Sequence, residues 1–184
     1  VYPIAVRTPD FFERQNPLWF GYFRKDVFRV AEFLGLPFQW ANPDPVIQTR
    51  GPDGRPSTAA VQPYIHRLTR LGVAAEERGR GIEFANEAAA LIWATTGWDQ
   101  GDALAQAAAR AGLDLAELDA AIAADTDRLE RIIADNEAAL TAAGHWGVPT
   151  CAFRGEPFFG QDRLDVLLWR LRQNGLQEAG VSGG

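Results

Sequence analysis

The residues best placed to do chemistry lie near the end of the chain. They are His145-Trp146-Gly147-Val148-Pro149-Thr150-Cys151 and, ten residues further on, Gly160-Gln161-Asp162-Arg163. Val148-Pro149 is an X-Pro pair, whose amide can be trans or cis at small cost. In the trans form the proline simply starts a strand. In the cis form the Val148 N–H and C=O turn outward, where an extended peptide can pair with them as it would with a strand edge. Gln161-Asp162-Arg163 opens the last helix, with Asp162 as the expected N-cap and Asp165 three residues on as its capping-box partner. The free N–H groups and dipole of a helix start favour a carboxylate. A small peptide ending in a carboxylate would suit both features. His145 is either a structural histidine or an acid–base group lining a cleft. Cys151, the only cysteine, is either a small packed residue or a redox thiol.

The elements that must hold these residues follow from the apolar pattern. Thr150 to Phe153 and Pro157 to Phe159 read as two strands reversed at Arg154-Gly155-Glu156. Leu164, Leu167, Leu168 and Leu171 give the closing helix one apolar stripe. Upstream, Val1 to Val6 reads as a strand, with Pro3 confining it to an edge. A helix is expected from about Leu18 to Leu34, with Phe20, Phe23, Val27, Val30, Ala31 and Leu34 on one face and Gly35 as its stop. Residues 42 to 58, rich in Pro, Gly, Asp and Asn, read as a long loop. From Ser57 to Gly144 the chain reads as helical in several pieces, broken at Arg78-Gly79-Arg80-Gly81, Gly97, Gly112 and Gly144. Asp102 and Asp114 are the expected caps within it, Asp114 forming a capping box with Glu117. The order strand, helical block, hairpin, helix is that of an α/β sheet domain interrupted by a helical insertion.

The 184 residues suffice for one domain, or one with a large insertion. A net charge of −6 argues against nucleic acid or an anionic membrane as partner. No apolar run approaches a membrane span, no signal peptide is visible, and no metal-ligand cluster is expected. A single cysteine forbids an internal disulfide and fits a reducing compartment, so the expected location is cytoplasmic. There is no Met, even at the first position, and Lys25 is the only lysine. Six tryptophans offer both packing and a wall for a planar substrate; Trp19, Trp40 and Trp146 suit the wall, Trp93 and Trp169 the core. His66, beside Arg67, reads as a surface residue.

Gly147-Val148-Pro149-Thr150 followed by Gly160-Gln161-Asp162-Arg163-Leu164 resembles the 2-hydroxychromene-2-carboxylate isomerases. These belong with the kappa-class glutathione transferases and the DsbA-like proteins of the thioredoxin superfamily. Ala111-Gly112-Leu113-Asp114, Asn136-Glu137-Ala138-Ala139-Leu140 and the stretch from Tyr22 to Gly35-Leu36-Pro37-Phe38 extend the likeness over most of the chain. It implies a thioredoxin-like fold with an inserted all-helical domain: residues 1–16 and 145–174 in the thioredoxin-like part, 17–144 in the insertion, and 175–184 as a flexible tail. Such a fold begins with a central strand and a helix carrying the catalytic residue. Val1-Tyr2-Pro3 matches the second strand instead. The first βα unit is therefore expected upstream of Val1, and with it the catalytic residue, a serine or a Cys-x-x-Cys.

The same resemblance makes glutathione the cofactor, with a small aromatic substrate and a homodimeric state. Val148 would pair with the cysteinyl main chain beside a cis Pro149. Asp162 would take the γ-glutamyl ammonium, and Arg163 with nearby N–H groups a carboxylate. Gln161 lies in the same turn. Asn16 roughly matches a glutathione-contacting loop of the family, offset by about one residue, while Trp19 stands where the family often has Lys or Arg. Trp19, Trp40, His145 and Trp146 would line the substrate cleft. Four functions stay open at this point: a glutathione-dependent isomerase, a kappa-like transferase, a DsbA-like thiol oxidoreductase, and a non-catalytic thioredoxin-fold binding module.

Overall fold

A computed structural model of the protein describes residues 1–51, 54 and 56–177. The expected tail therefore lies outside the described residues from 178 onward, as do Pro52, Asp53 and Arg55 of the loop. The chain forms two compact units, residues 1–134 and 135–184. Residues 1–16, expected to join 145–174, lie in the first.

The first unit opens with a correction. Val1 to Val6 is not a strand: Ile4–Arg7 is a helical turn, α1, following Pro3. Its N–H groups are satisfied locally, Val6 and Arg7 both donating to the Pro3 carbonyl. Both sheets among the described residues are two-stranded hairpins, and neither includes this segment. With no strand beside it, the segment turns on itself, and the Ala5 carbonyl accepts from Thr58 Oγ1 at 2.7 Å.

Helix α2, Pro17–Leu34, has the limits its sequence implies. Asn16 caps it, its Oδ1 accepting from the Leu18 N–H at 2.9 Å; Pro17 takes the first turn, where a missing N–H costs nothing. Gly35, at φ 66°, closes it in the left-handed conformation that glycine tolerates best. The apolar face is real but not buried, since α2 contains no buried residue and Phe33 is 85% exposed.

The loop from 42 holds more structure than its composition suggested. β1, Gln48–Arg50, pairs antiparallel with β2, Pro56–Thr58. Gln62, almost fully buried, ties this hairpin to the helix that follows. Its Oε1 accepts from the Ile47 N–H, and its Nε2 donates to the carbonyls of Ile47 and Ala59. Helicity therefore begins at Pro63 rather than Ser57.

The helical block is α3 (Pro63–Glu76), α4 (Gly81–Ala94), α5 (Ala103–Arg110), α6 (Leu115–Ala124) and α7 (Thr126–Ala142). Leu71, Phe84, Leu104 and Leu118, with Ala74, Ala75, Ala88, Ala108 and Ala111, make one core from α3 to α6. The alanines let the helix axes approach while the large residues fill the space between. Each fully buried Leu contributes about 2 kcal/mol. Asp114 caps α6 as expected, accepting from the N–H groups of Ala116 and Glu117. Asp102 does not cap α5; its carboxylate is taken by the side-chain amide of Gln106.

The second unit carries the last turns of α7, then β3 (Thr150–Phe153), β4 (Glu156–Phe159), a 3₁₀ turn (Gln161–Arg163) and α8 (Leu164–Gln173). The reversal is tighter than expected, and Glu156 belongs to β4. Arg154 and Gly155 alone connect the strands, both at positive φ (51° and 81°), as a type I′ hairpin requires. Cys151 faces Phe158 across the ladder. The α8 stripe is only partly covered: Leu167, Leu168 and Leu171 are half-buried, but Leu164 is exposed. Trp169, expected in the core, is 52% exposed and meets the Arg170 guanidinium instead.

Candidate functional site

The loop from His145 to Thr150 is built by pairing off its polar groups one by one. The Val148–Pro149 amide is cis. The Gly147 N–H donates to His145 Nδ1 at 2.9 Å, and the Gly147 carbonyl accepts from Thr150 Oγ1 at 2.7 Å. The Pro149 carbonyl accepts from the Gly160 N–H at 2.9 Å, joining the loop to the start of the 3₁₀ turn. What remains is Val148: neither its N–H nor its carbonyl has a hydrogen-bond partner among the described residues, and the residue is 44% exposed. An unpaired donor and acceptor on one exposed residue can act as a short strand edge.

Rings fix the loop from behind. The His145 imidazole stacks on Phe159 of β4 at 4.1 Å between centroids and 19° between planes, and Trp146 lies 5.2 Å from it. Gly147 passes so close to them that a Cβ there would come within 2.5 Å of Phe159 Cε2 and 3.1 Å of His145 Cε1. A glycine is needed here for approach, not for φ. Because Nδ1 accepts from Gly147, the neutral imidazole carries its proton on Nε2.

The expected cap at Asp162 is corrected. The 3₁₀ turn starts at Gly160, Asp162 sits inside it, and no side chain caps either helical start. The Asp162 carboxylate lies instead against Arg163, Oδ2 to Nη1 at 3.1 Å, both side chains exposed. The pair presents one negative and one positive group beside the carbonyl-bonded Gly160. Gln161 is exposed in the same turn. The second unit thus brings Val148, Pro149, Gln161, Asp162 and Arg163 together with His145 and Trp146.

Asn16, Trp19 and Trp40 belong to the first unit. Asn16 Oδ1 is engaged as the α2 cap. Trp19 stacks on Phe23 at 5.1 Å, and Phe23 in turn meets Trp40 at 5.8 Å, so the two tryptophans share one aromatic surface that continues through Phe38 to Trp93. The indole Nε1 of Trp40 is buried with no hydrogen-bond partner.

Two features of the first unit carried no sequence signal. One is an open cavity of about 440 Å³ between the α1 region and the β1–β2 hairpin, lined by Arg7, Asp10, Ser57, Thr58 and His66 among others. His66 is half-buried there, not a free surface residue, with its ring 4.8 Å from that of Tyr2. The other is an ionisable cluster. Tyr2 donates to Glu130 Oε1 at 2.8 Å, and Arg70 Nε lies 2.6 Å from the same oxygen. Burial, reinforced by the bond to Glu130, pushes the Tyr2 phenol up to about 12. Burial alone would raise Glu130, but its bonds from Tyr2 and Arg70 outweigh that and hold it below the usual carboxylate range.

Residues 13–172 match the model of the DSBA-like thioredoxin domain. The chain belongs to that family, and its α/β make-up, short hairpins and a large helical block, is consistent with a thioredoxin-like fold with a helical insertion. No curated protein matches it. Among the described residues no helix is long and apolar enough to cross a membrane, and no group of His, Cys, Asp and Glu could hold a metal ion.

Proposed function

We propose that this DSBA-like protein is a glutathione-dependent isomerase that grips the tripeptide by its main chain. The unpaired Val148 N–H and carbonyl carry this reading, because they offer the donor and acceptor that a cysteinyl residue presents in return. Asp162 takes the γ-glutamyl ammonium and Arg163 a carboxylate, with Gln161 beside them. The thiolate adds to one carbon of a conjugated double bond in a small aromatic substrate, forming a C–S bond and moving the π pair onto the conjugated carbonyl. Rotation about the resulting single bond follows. Return of the pair expels the thiolate and restores the double bond in the other geometry, so glutathione is not consumed. His145 and Trp146 flank the loop. The resemblance to 2-hydroxychromene-2-carboxylate isomerases supports this substrate class. We assign the donor that activates the sulfur to none of these residues.

The breadth of the family favours a second reading, in which the Val148 edge holds the main chain of a protein substrate during thiol–disulfide exchange. One titration separates the two. A melting-temperature series with reduced glutathione should show stabilisation that rises with concentration through the millimolar range, since a ligand bound only to the native state stabilises it by mass action. No shift at millimolar glutathione sinks the isomerase reading. A shift produced only by an extended cysteine-containing peptide favours the exchange reading.

A further inference from the structure

We infer that His145 is a positioning residue: through the Gly147 N–H it sets the Val148 edge, and it makes occupation of that edge depend on pH. The inference rests on the reading that Val148 binds a peptide main chain.

Residue 147 is the last free hinge before the edge, and side chains hold both of its polar groups. Thr150 Oγ1 donates to its carbonyl at 2.7 Å, and His145 Nδ1 accepts from its N–H at 2.9 Å. Gly147 is buried although it has no side chain to bury, so an unpaired N–H there would have little water to turn to. The two clamps differ in chemistry. A threonine hydroxyl donates at any ordinary pH. An imidazole nitrogen accepts only while neutral; once protonated, both ring nitrogens are donors. The Nδ1–H of the cation would point at the Gly147 N–H, two donors at hydrogen-bond distance with nothing between them. Turning the ring away costs its stacking on Phe159 at 4.1 Å and its contact with Trp146, so relief comes from the backbone, which shifts Gly147 and with it the Val148 peptide.

The charged side chains on the elements next to the loop are Glu137 on α7, Glu156 on β4, and Asp162 and Arg163 beyond it. Ala138 to Gly144, leading into the loop, contain no titratable side chain. On β4, Glu156 is taken by Arg170; beyond it, Asp162 and Arg163 pair with each other. Cys151 on β3 faces Phe158. The sign follows: the edge is set while the His145 ring is neutral and released when it is protonated.

The test measures glutathione affinity at about pH 5.5 and about pH 7.5, which brackets ordinary imidazole titration and stays below that of free amines and thiols. The wild-type protein should bind about tenfold more weakly at the lower pH, the loss of one hydrogen bond of ordinary strength. His145→Phe keeps the stacking but has no acceptor, and should bind at the weak level at both pH values. His145→Asn can accept the same N–H through its amide oxygen, as in an Asx turn, and cannot titrate. It should bind at nearly the wild-type neutral level at both. Equal affinity and equal pH profiles in wild type and His145→Phe would overturn the inference while leaving the glutathione reading intact. Should wild type not bind glutathione at all, amide exchange still decides on the clamp. Corrected for the intrinsic pH dependence, Gly147 protection should be present in wild type at the higher pH, fall at the lower, and be absent in His145→Phe. Unchanged Gly147 protection across that set rejects it.

Discussion

Two proline loops in this protein share a cis amide and differ in what their neighbours do. At Asn42–Pro43 the surroundings use up the polar groups. The Asn42 carbonyl accepts from the Gly97 N–H at 2.9 Å, and the Pro43 carbonyl from the Trp98 indole at 2.7 Å, with Trp98 only 2% exposed. Asn42 also bridges to Thr96, and the Asp44 side chain accepts from the Val46 N–H. At Val148–Pro149 the residues on both sides are paired, and the one between the clamps is left open. The first loop is sealed into the helical block, and the second presents an edge. The proline is common to both, so what marks a site is the accounting of donors and acceptors around it.

That contrast can be broken by substitution. The largest effect is expected at the sealed loop. Trp98→Ala removes a buried ring and strands the Pro43 carbonyl, which should cost about 4 kcal/mol of stability. Denaturant unfolding measures it, and glutathione affinity of the remaining folded protein should not change. Gly147→Ala is the converse. The added methyl meets Phe159, whose ring is 41% exposed and can swing aside, so the stability loss should be only about 1 kcal/mol while glutathione affinity falls. Equal losses of stability in the two variants would erase the distinction. Asp162→Asn and Arg163→Ala, both at exposed positions, should leave the melting temperature nearly unchanged and weaken glutathione binding by about five- to tenfold each, as loss of a charged hydrogen bond would.

The smallest effects lie at the Tyr2–Glu130 cluster of the first unit and appear as pH dependence. Glu130 sits below the usual carboxylate range in the folded protein, so it stabilises above the unfolded value and loses that contribution as pH falls. Acid melting curves of Glu130→Gln should be flatter below about pH 4 than those of wild type. Tyr2 is shifted the other way, to about 12. Its contribution is complete below the ordinary phenol value of about 10 and is lost as pH climbs toward the folded one. Tyr2→Phe should remove that alkaline decline. Neither variant should alter glutathione affinity.

Much of this was legible in the chain. Gly35 marks the end of α2 because such a stop is a local matter, settled within four residues, while Asn16, read as a glutathione-contacting residue, caps its start. The β3–β4 hairpin was legible for the same reason, its turn residues being adjacent. The unread parts depend on partners distant in sequence. Val1 to Val6 is an apolar run that reads as a strand, but with no adjacent strand Ile4–Arg7 closes on itself as α1. Asp162 looks like a cap, yet Gly160 already holds the cap position, which places Asp162 two residues too far inside. The stripes of α2 and α8 announce apolar faces without saying how completely they are covered, so Trp169 was misplaced by pattern alone. The His145 clamp depends on one side-chain rotation, which composition and spacing do not encode. Asn42–Pro43 gave no hint of its isomer because its partners, Gly97 and Trp98, are more than fifty residues away.

The central claim is that the Val148 peptide is held open so that a thiol tripeptide can pair with it, and the Val148 amide reports on this directly. Its hydrogen exchange, followed by NMR with and without saturating reduced glutathione, should be fast in the free protein and strongly slowed on binding, while Gly147 stays protected throughout. A Val148 amide already protected without ligand, or one whose exchange and chemical shift ignore millimolar glutathione, would contradict the account.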